Sequence, residues 1–149
     1  MFREFLLFLL LSSLFFQTTL VQNYTDVTVS EAKAMIESNS SLVILDVRNQ
    51  TEYDSGHIKN AKLIPLQQLE SRLDELDKTS KILVYCRTGS RSASASQILA
   101  DAGFTHVYNM LGGIIDWINA GYPVYVKYSA VQEAINNASE GCTIFFSSG

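Results

Sequence analysis

The chain of 149 residues is poor in the side chains that build metal centres. It has two cysteines and two histidines, all far apart in the sequence, and none of them stands at the spacing of a zinc site. It also lacks a basic excess, because 11 lysines and arginines face 15 acidic residues, for a net charge of −4 with both signs scattered. The sequence therefore predicts no metal and no cofactor, and it argues against a nucleic-acid partner.

The first 22 residues are unlike the rest of the chain. One basic residue, Arg3, precedes an apolar run over residues 5–11 that continues through Ser12 and Ser13 to Phe16. This is the pattern of a secretory signal peptide, although no Ala-x-Ala cleavage site follows. An uncleaved N-terminal membrane anchor or a buried helix are the alternatives. We expect an exported chain, with which four Asn-x-Ser/Thr triplets agree: Asn23, Asn39, Asn49 and Asn137.

After this leader, strand and helix patterns alternate over residues 25–126, enough for one domain with its own core. Residues 42–47 form an apolar run typical of a parallel strand buried on both faces. We expect further strands at 27–29, 62–65, 82–85 and 106–110. We expect helices at 66–76, 92–102 and 111–120, and one capped by Ser30. The alternation predicts a three-layer α/β/α sandwich around a central parallel five-stranded sheet.

The segment with most chemical information is residues 82–92, where an apolar strand runs into Cys86, a short polar loop and a helix of small residues. Gly89 lets successive backbone N–H groups turn toward one point, and the N-terminus of the helix favours negative charge. Such surroundings lower the pKa of a cysteine from about 8.5 to roughly 3.5–7.5. Cys86 is therefore expected to be a nucleophilic thiolate. The alternative, an inert buried cysteine, is disfavoured by Arg87 and Arg91 beside it.

Several short motifs surround this loop in a fixed order. They are LDVR at 45–48, EY at 52–53, GHIKNA at 56–61, IP at 64–65, LGGIIDW at 111–117 and GYPV at 121–124. Over residues 27–124 they resemble the single-domain rhodaneses (thiosulfate sulfurtransferases). Two positions depart from that pattern, since Asn49-Gln50 stands where the family often has Glu-Pro, and Asn60 where glycine is common.

The resemblance implies a rhodanese-like fold and sulfur transfer. The six-residue loop 86–91 has the length found in sulfurtransferases, one residue shorter than in the related phosphatases. The Cys86 thiolate would attack the outer sulfur of a small anionic donor such as thiosulfate, and the resulting persulfide would pass to a thiol or cyanide-like acceptor. The loop residues expected to bind the donor and stabilise the persulfide are Arg87, Thr88, Gly89, Ser90, Arg91 and Ser92.

Three other side chains are candidates for roles beside the loop. Asp46 and Arg48 end a second apolar strand, which a parallel sheet delivers to the same edge as Cys86. They either orient the loop or form a surface ion pair or turn. His57 could serve as a base for Cys86, but a packing role is favoured, because a persulfide-forming thiolate needs a positive cradle more than a base.

Two function classes compete with an exported sulfurtransferase. A non-catalytic rhodanese-like binding or regulatory module of a cell-surface protein would not need an intact Cys86 loop. An arsenate reductase or phosphatase of the same architecture is disfavoured by the short loop.

The tail at 127–149 resembles the opening of a right-handed parallel β-helix. One coil cannot stack alone, so this interpretation implies fusion to a longer β-helix domain. The alternative is an extra helix and strand packed on the rhodanese body. Cys142 in this tail could pair with Cys86, which would block catalysis, or act as a resolving or acceptor thiol.

Overall fold

The computed structural model describes residues 23–127 and residue 135. In this part of the chain, strands and helices alternate as expected. The strands are β1 (Thr25–Val27), β2 (Val43–Asp46), β3 (Lys62–Leu63), β4 (Ile82–Tyr85) and β5 (Val107–Met110). The helices are α1 (Val29–Ser38), α2 (Gln50–Asp54), α3 (Leu66–Leu69), α4 (Ser90–Asp101) and α5 (Gly113–Asn119), with a 3-10 helix over Glu70–Glu75 directly after α3.

The five strands form one parallel sheet in the order β1-β5-β4-β2-β3. This confirms the predicted α/β fold with a central parallel five-stranded sheet. Strand β4 lies in the middle, and Asp46 at the end of β2 is in register with Tyr85 at the end of β4. Residues that follow these two strands, Cys86 and Arg48 among them, therefore emerge at the same edge of the sheet.

Each face of the sheet carries its own apolar cluster. Side chains alternate between faces along a strand, so β4 places Ile82 and Val84 in one cluster and Leu83 and Tyr85 in the other. The first cluster is completed by residues from α3, the 3-10 helix and α4. The second is completed by residues from α1 and α5. Helices thus cover both faces, which gives the three layers.

Several helix boundaries differ from the sequence-based expectation. Ser30 lies inside α1, and the residue that caps the helix is Thr28: its side chain accepts from the Glu31 N–H at 3.3 Å, while Glu31 accepts from the Thr28 N–H at 2.7 Å. This reciprocal capping box satisfies two N–H groups of the helix terminus, which Ser30 could not do. Helix α4 begins at Ser90, two residues earlier than expected, because Gly89 takes a positive φ of 100° and starts the helix there.

The predicted helix over 66–76 is only partly α-helical. Helix α3 ends at Leu69, and the chain continues as the 3-10 helix, in which Arg72 has non-helical dihedral angles. The leucines at 66, 69, 73 and 76 nevertheless all pack on the first cluster. Pairs three residues apart lie on one face of a 3-10 helix, so the spacing suits this geometry as well as an α-helix.

No helix among residues 23–127 is long and apolar enough to cross a membrane, and no three of their His, Cys, Asp and Glu side chains are grouped to hold a metal ion. The leader at 1–22 lies outside the described residues. So do Cys142 and almost all of the tail that resembles a β-helix. The predictions made for these segments stay predictions.

One buried hydroxyl in α4 gives a test of the packing. Ser96 is fully buried, and its Oγ has no hydrogen-bond partner among the described residues. An unpaired buried hydroxyl costs stability, and alanine is also the better helix former. We expect Ser96→Ala to raise the free energy of unfolding by about 1 kcal/mol, measured by urea denaturation. Ser94→Ala, an exposed change on the same helix, controls for helix propensity. A lower stability of Ser96→Ala than of Ser94→Ala would show that the buried Ser96 hydroxyl does have a hydrogen-bond partner.

Candidate active site

Cys86 lies at the floor of the loop that joins β4 to α4. The residue is 1% exposed, and its Sγ accepts a hydrogen bond from the Gly89 N–H at 3.2 Å. Gly89 adopts a left-handed φ of 100°, and a side chain there would come within 3.2 Å of the Gly112 backbone nitrogen. The loop can therefore turn its N–H groups back to the sulfur only with glycine at this position.

The first turn of α5 holds the outer side of the same loop. The N–H groups of Ile114 and Ile115 donate to the carbonyl oxygens of Cys86 and Arg87, at 2.9 and 3.2 Å. Gly113 makes this approach possible: it has φ of 59°, and a Cβ atom there would lie 2.6 Å from both of those carbonyl oxygens. Gly113 of the LGGIIDW motif is thus required by contact with the cysteine loop.

The pKa of the Cys86 thiol reflects two opposing effects. Burial raises it, whereas hydrogen bonds to the thiolate from the Ser92 side chain and from backbone N–H groups, those of Thr88 and Gly89 among them, lower it. The hydrogen bonds outweigh burial, so the pKa is lower than that of an ordinary cysteine. In the structure the Ser92 hydroxyl donates to the Gly89 carbonyl oxygen at 3.0 Å, so this oxygen competes with the sulfur for the single Ser92 proton.

Asp46 and Arg48 form a buried ion pair. Asp46 is fully buried and Arg48 is 5% exposed, and the guanidinium grips the carboxylate through Nε at 2.9 and 3.0 Å and Nη2 at 2.6 Å. Arg48 Nη2 also donates to the Gly56 carbonyl oxygen at 2.7 Å. Of the interpretations left open by the sequence, a surface ion pair does not fit this burial, whereas a turn formed by Asp46 does, because the Arg48 N–H donates to Asp46 Oδ1 at 2.9 Å. The pair joins the end of β2 to the turn at Gly56.

The two arginines of the loop have different surroundings. Arg87 is exposed and forms no ion pair with any residue in the described part of the chain. Arg91, in the first turn of α4, is engaged by Glu52 through two hydrogen bonds, Nη1 to Oε2 at 2.9 Å and Nη2 to Oε1 at 2.7 Å. The hydrogen bonds from Arg91 lower the pKa of Glu52 more than partial burial raises it, and they hold that pKa at about 2. Sequence analysis assigned no role to Glu52.

The local structure around Glu52 explains its position. It lies in α2, a helix that the sequence analysis did not predict, and it forms a capping box with Asn49: the Glu52 N–H donates to Asn49 Oδ1 at 2.8 Å, and the Asn49 N–H donates to Glu52 Oε2 at 3.3 Å. The signal was present in the sequence, since Asn followed three residues later by Glu is a helix start. The departure at Asn49 is thus compatible with the turn.

The remaining predicted residues are divided between the loop surface and its interior. Thr88 and Ser90 are exposed, and Ser92 is fully buried.

His57 stacks on Tyr53, with ring centroids 3.8 Å apart, and its Nδ1 lies 2.9 Å from the Tyr53 carbonyl oxygen. Its backbone pairs with Tyr125. These contacts describe a residue that packs the turn.

A cavity of about 280 Å³ opens at this edge of the sheet. Its wall combines cationic, anionic, hydroxyl and apolar groups: Arg48, Thr51, Glu52, Ser55, Arg87, Ile114 and Ile115. Since Arg87 directly follows Cys86 and the Ile114 N–H is bonded to the Cys86 carbonyl, the cavity adjoins the cysteine loop. It offers a small molecule both charge and apolar surface.

Comparison with known proteins agrees with this geometry. The family model of the rhodanese-like domain matches residues 28–120. The chain belongs to this family. Among solved structures, it is similar to a rhodanese-related protein from Thermoplasma volcanium, which is 33% identical and superimposes with a TM-score of 0.64 over 70% of this chain and 100% of that one.

Two relatives carry names that refer to sulfur chemistry. Thiosulfate sulfurtransferase GlpE of Coxiella burnetii is 35% identical over 94 residues, which are 63% of this chain and 87% of GlpE. YrkF of Bacillus subtilis, named as a candidate sulfur carrier protein, is 36% identical over 92 residues, which are 62% of this chain. The match spans only 50% of YrkF. The chain is thus a rhodanese-like domain with sulfurtransferase and sulfur-carrier homologues.

The role of Ser92 can be tested through the pH dependence of thiol reactivity. Because the thiolate is the reactive form, the rate at which iodoacetamide alkylates Cys86 should rise with pH. It should reach half its maximum at a lower pH than the rate for an ordinary cysteine does. Ser92→Ala removes one hydrogen bond that favours the thiolate, so its midpoint should move to higher pH. Rates are followed by peptide mass spectrometry at Cys86, with Ser94→Ala as the control. An unchanged midpoint in Ser92→Ala would show that the Ser92 hydroxyl does not stabilise the thiolate.

Proposed function

We propose that this chain is a sulfurtransferase that carries sulfane sulfur on Cys86, taking it from thiosulfate or a similar small anionic donor and giving it to a thiol or cyanide-like acceptor. The observation that carries this proposal is the Cys86 loop: a thiol with a lowered pKa, one backbone N–H already on its sulfur, and a cavity beside it. The sulfurtransferase homologue of Coxiella burnetii supports the same reaction class.

The first half-reaction follows from these groups. The Cys86 thiolate attacks the outer sulfur of thiosulfate, a new S–S bond forms, and the bond between the two donor sulfurs breaks. Sulfite leaves with the electron pair, and Cys86 is left as a persulfide anion. The Gly89 N–H and its neighbours stabilise a negative sulfur before and after the step, and they need no rearrangement. Arg87 attracts the donor to the mouth of the loop.

In the second half-reaction the acceptor is the nucleophile. A thiolate or cyanide attacks the outer sulfur of the persulfide, the S–S bond to Cys86 breaks, and the Cys86 thiolate is regenerated. Because the residue is only 1% exposed, donor and acceptor must reach the sulfur end-on. Small donors and acceptors fit this access best.

The proposal predicts one added sulfur atom on Cys86. Purified protein is treated with thiosulfate, and its mass is measured before and after cyanide or a reductant. The added sulfur should appear in the unmodified chain and in Cys142→Ala, disappear after cyanide, and be absent in Cys86→Ala. An accessible but unmodified Cys86 would count against the sulfurtransferase and in favour of a binding module. Modification confined to Cys142 would assign the chemistry to the tail.

We also propose that the chain is exported, on the basis of the apolar run in residues 5–11 behind Arg3. When the full chain is expressed in a bacterial host, it should be found outside the cytosol, whereas a variant starting at residue 23 should remain inside. The mass of the exported protein then separates the two forms of export, since a cleaved leader shortens the chain and an anchor does not. Full-length protein in the cytosolic fraction would refute export.

A further inference from the structure

The cationic side chains near the cavity differ in how free they are to bind an anionic ligand. Arg48 and Arg87 line the cavity, and Arg91 binds Glu52, which also lines it. Two of these three cations are already paired with carboxylates: Arg48 with Asp46 and Arg91 with Glu52. Of these three arginines, Arg87 alone forms no ion pair with a residue in the described part of the chain. The five groups together carry a formal charge of +1, and that charge resides on Arg87.

Glu52 differs from Asp46 in its placement. Asp46 is fully buried behind Arg48, whereas Glu52 lines the cavity, and its side chain is 22% exposed. A donor that enters the cavity therefore meets the carboxylate of Glu52 on the same wall as Arg87. Because Glu52 is held by both Arg91 and the Asn49 N–H, it cannot easily turn away.

We propose that Glu52 determines the charge selectivity of this site: it keeps Arg91 from the donor, places a negative charge on the cavity wall, and thereby favours donors with a single negative charge over dianions. The apolar side chains of Ile114 and Ile115 on the same wall suit a donor with an apolar substituent, such as an organic thiosulfonate. As a statement about donors, the proposal rests on the sulfurtransferase function above.

Transfer from such a donor is balanced in the same way as transfer from thiosulfate. The Cys86 thiolate attacks the terminal sulfur of the thiosulfonate, the S–S bond to the sulfonyl group breaks, and a sulfinate leaves with the electron pair. The leaving group carries one negative charge, whereas sulfite carries two. The repulsion by Glu52 is therefore smaller for this donor and for its product.

Charge selectivity can be measured without sulfur transfer. Iodoacetate and iodoacetamide are close in size, and the same thiolate attacks the CH₂ carbon of either one and displaces iodide, but only iodoacetate is anionic. The ratio of their second-order rate constants at Cys86, mapped by peptide mass spectrometry, therefore reports the electrostatic potential at the sulfur. Glu52→Gln should raise the ratio of iodoacetate to iodoacetamide about three- to five-fold at low ionic strength, and less at high salt.

Two further variants make the test specific. Arg91→Gln removes the partner cation and leaves the Glu52 charge, so it should lower the same ratio. Glu75→Gln is the matched control, because Glu75 also sits in arginine and lysine ion pairs but is absent from the cavity wall, and the ratio should not change. A purely structural role of the Glu52–Arg91 pair would slow or speed both reagents together in both variants and leave the ratio constant, which would overturn the proposal.

The donors are then compared directly, as kcat/KM for thiosulfate and for benzenethiosulfonate. Glu52→Gln should shift the preference toward thiosulfate by about three- to five-fold. An unchanged preference in an active protein would refute the role of Glu52 while leaving the sulfurtransferase function intact. If the unmodified chain transfers sulfur from neither donor but the alkylation ratio moves as expected, the function fails and the selectivity of Glu52 stands.

Discussion

The cysteine loop depends on an arrangement in which its carbonyl groups and its N–H groups point to opposite sides. Its N–H groups can point at the Cys86 sulfur because the carbonyl oxygens of Cys86 and Arg87 are bound on the far side by the first turn of α5. That turn approaches so closely that only glycine fits at Gly113. The apolar strand β4 fixes one end of the loop, and α5 fixes its outer surface. The N–H groups are therefore already oriented toward the sulfur and need no reorganisation when negative charge develops there.

A second constraint holds the opposite wall of the site. The buried Asp46–Arg48 pair ties β2 to the turn at Gly56, and the Arg48 guanidinium lies 5.5 Å from the ring centre of Tyr85. The Tyr85 hydroxyl accepts from the Ile58 N–H at 3.1 Å. Burying two charges costs desolvation that their attraction only partly returns, so such a pair is weak evidence for stability. Its evident effect is to set the position of the turn beside the cysteine loop.

Local patterns in the sequence predicted the succession of five strands, four of the five α-helices and the cysteine loop, because each depends on residues close in the chain. Prediction was poorer where two local solutions compete. Thr28 and Ser30 can both cap a helix, and the position of Glu31 three residues after Thr28 decides between them. The Glu52–Arg91 pair joins residues 39 apart and follows only from the topology. Asn60, where the family pattern often has glycine, adopts a positive φ of 61°, which asparagine tolerates better than most residues.

Burial and charge at this site serve different parts of the proposed reaction. The sulfur on Cys86 carries one negative charge both as a thiolate and as a persulfide, so a fixed set of hydrogen bonds suits both states, and these bonds outweigh the burial that raises the pKa of the thiol. Donors, acceptors and leaving groups differ in charge from one compound to the next. Their discrimination therefore falls to the exposed rim, where Arg87 attracts anions and the Glu52–Arg91 pair limits how much negative charge the cavity accepts.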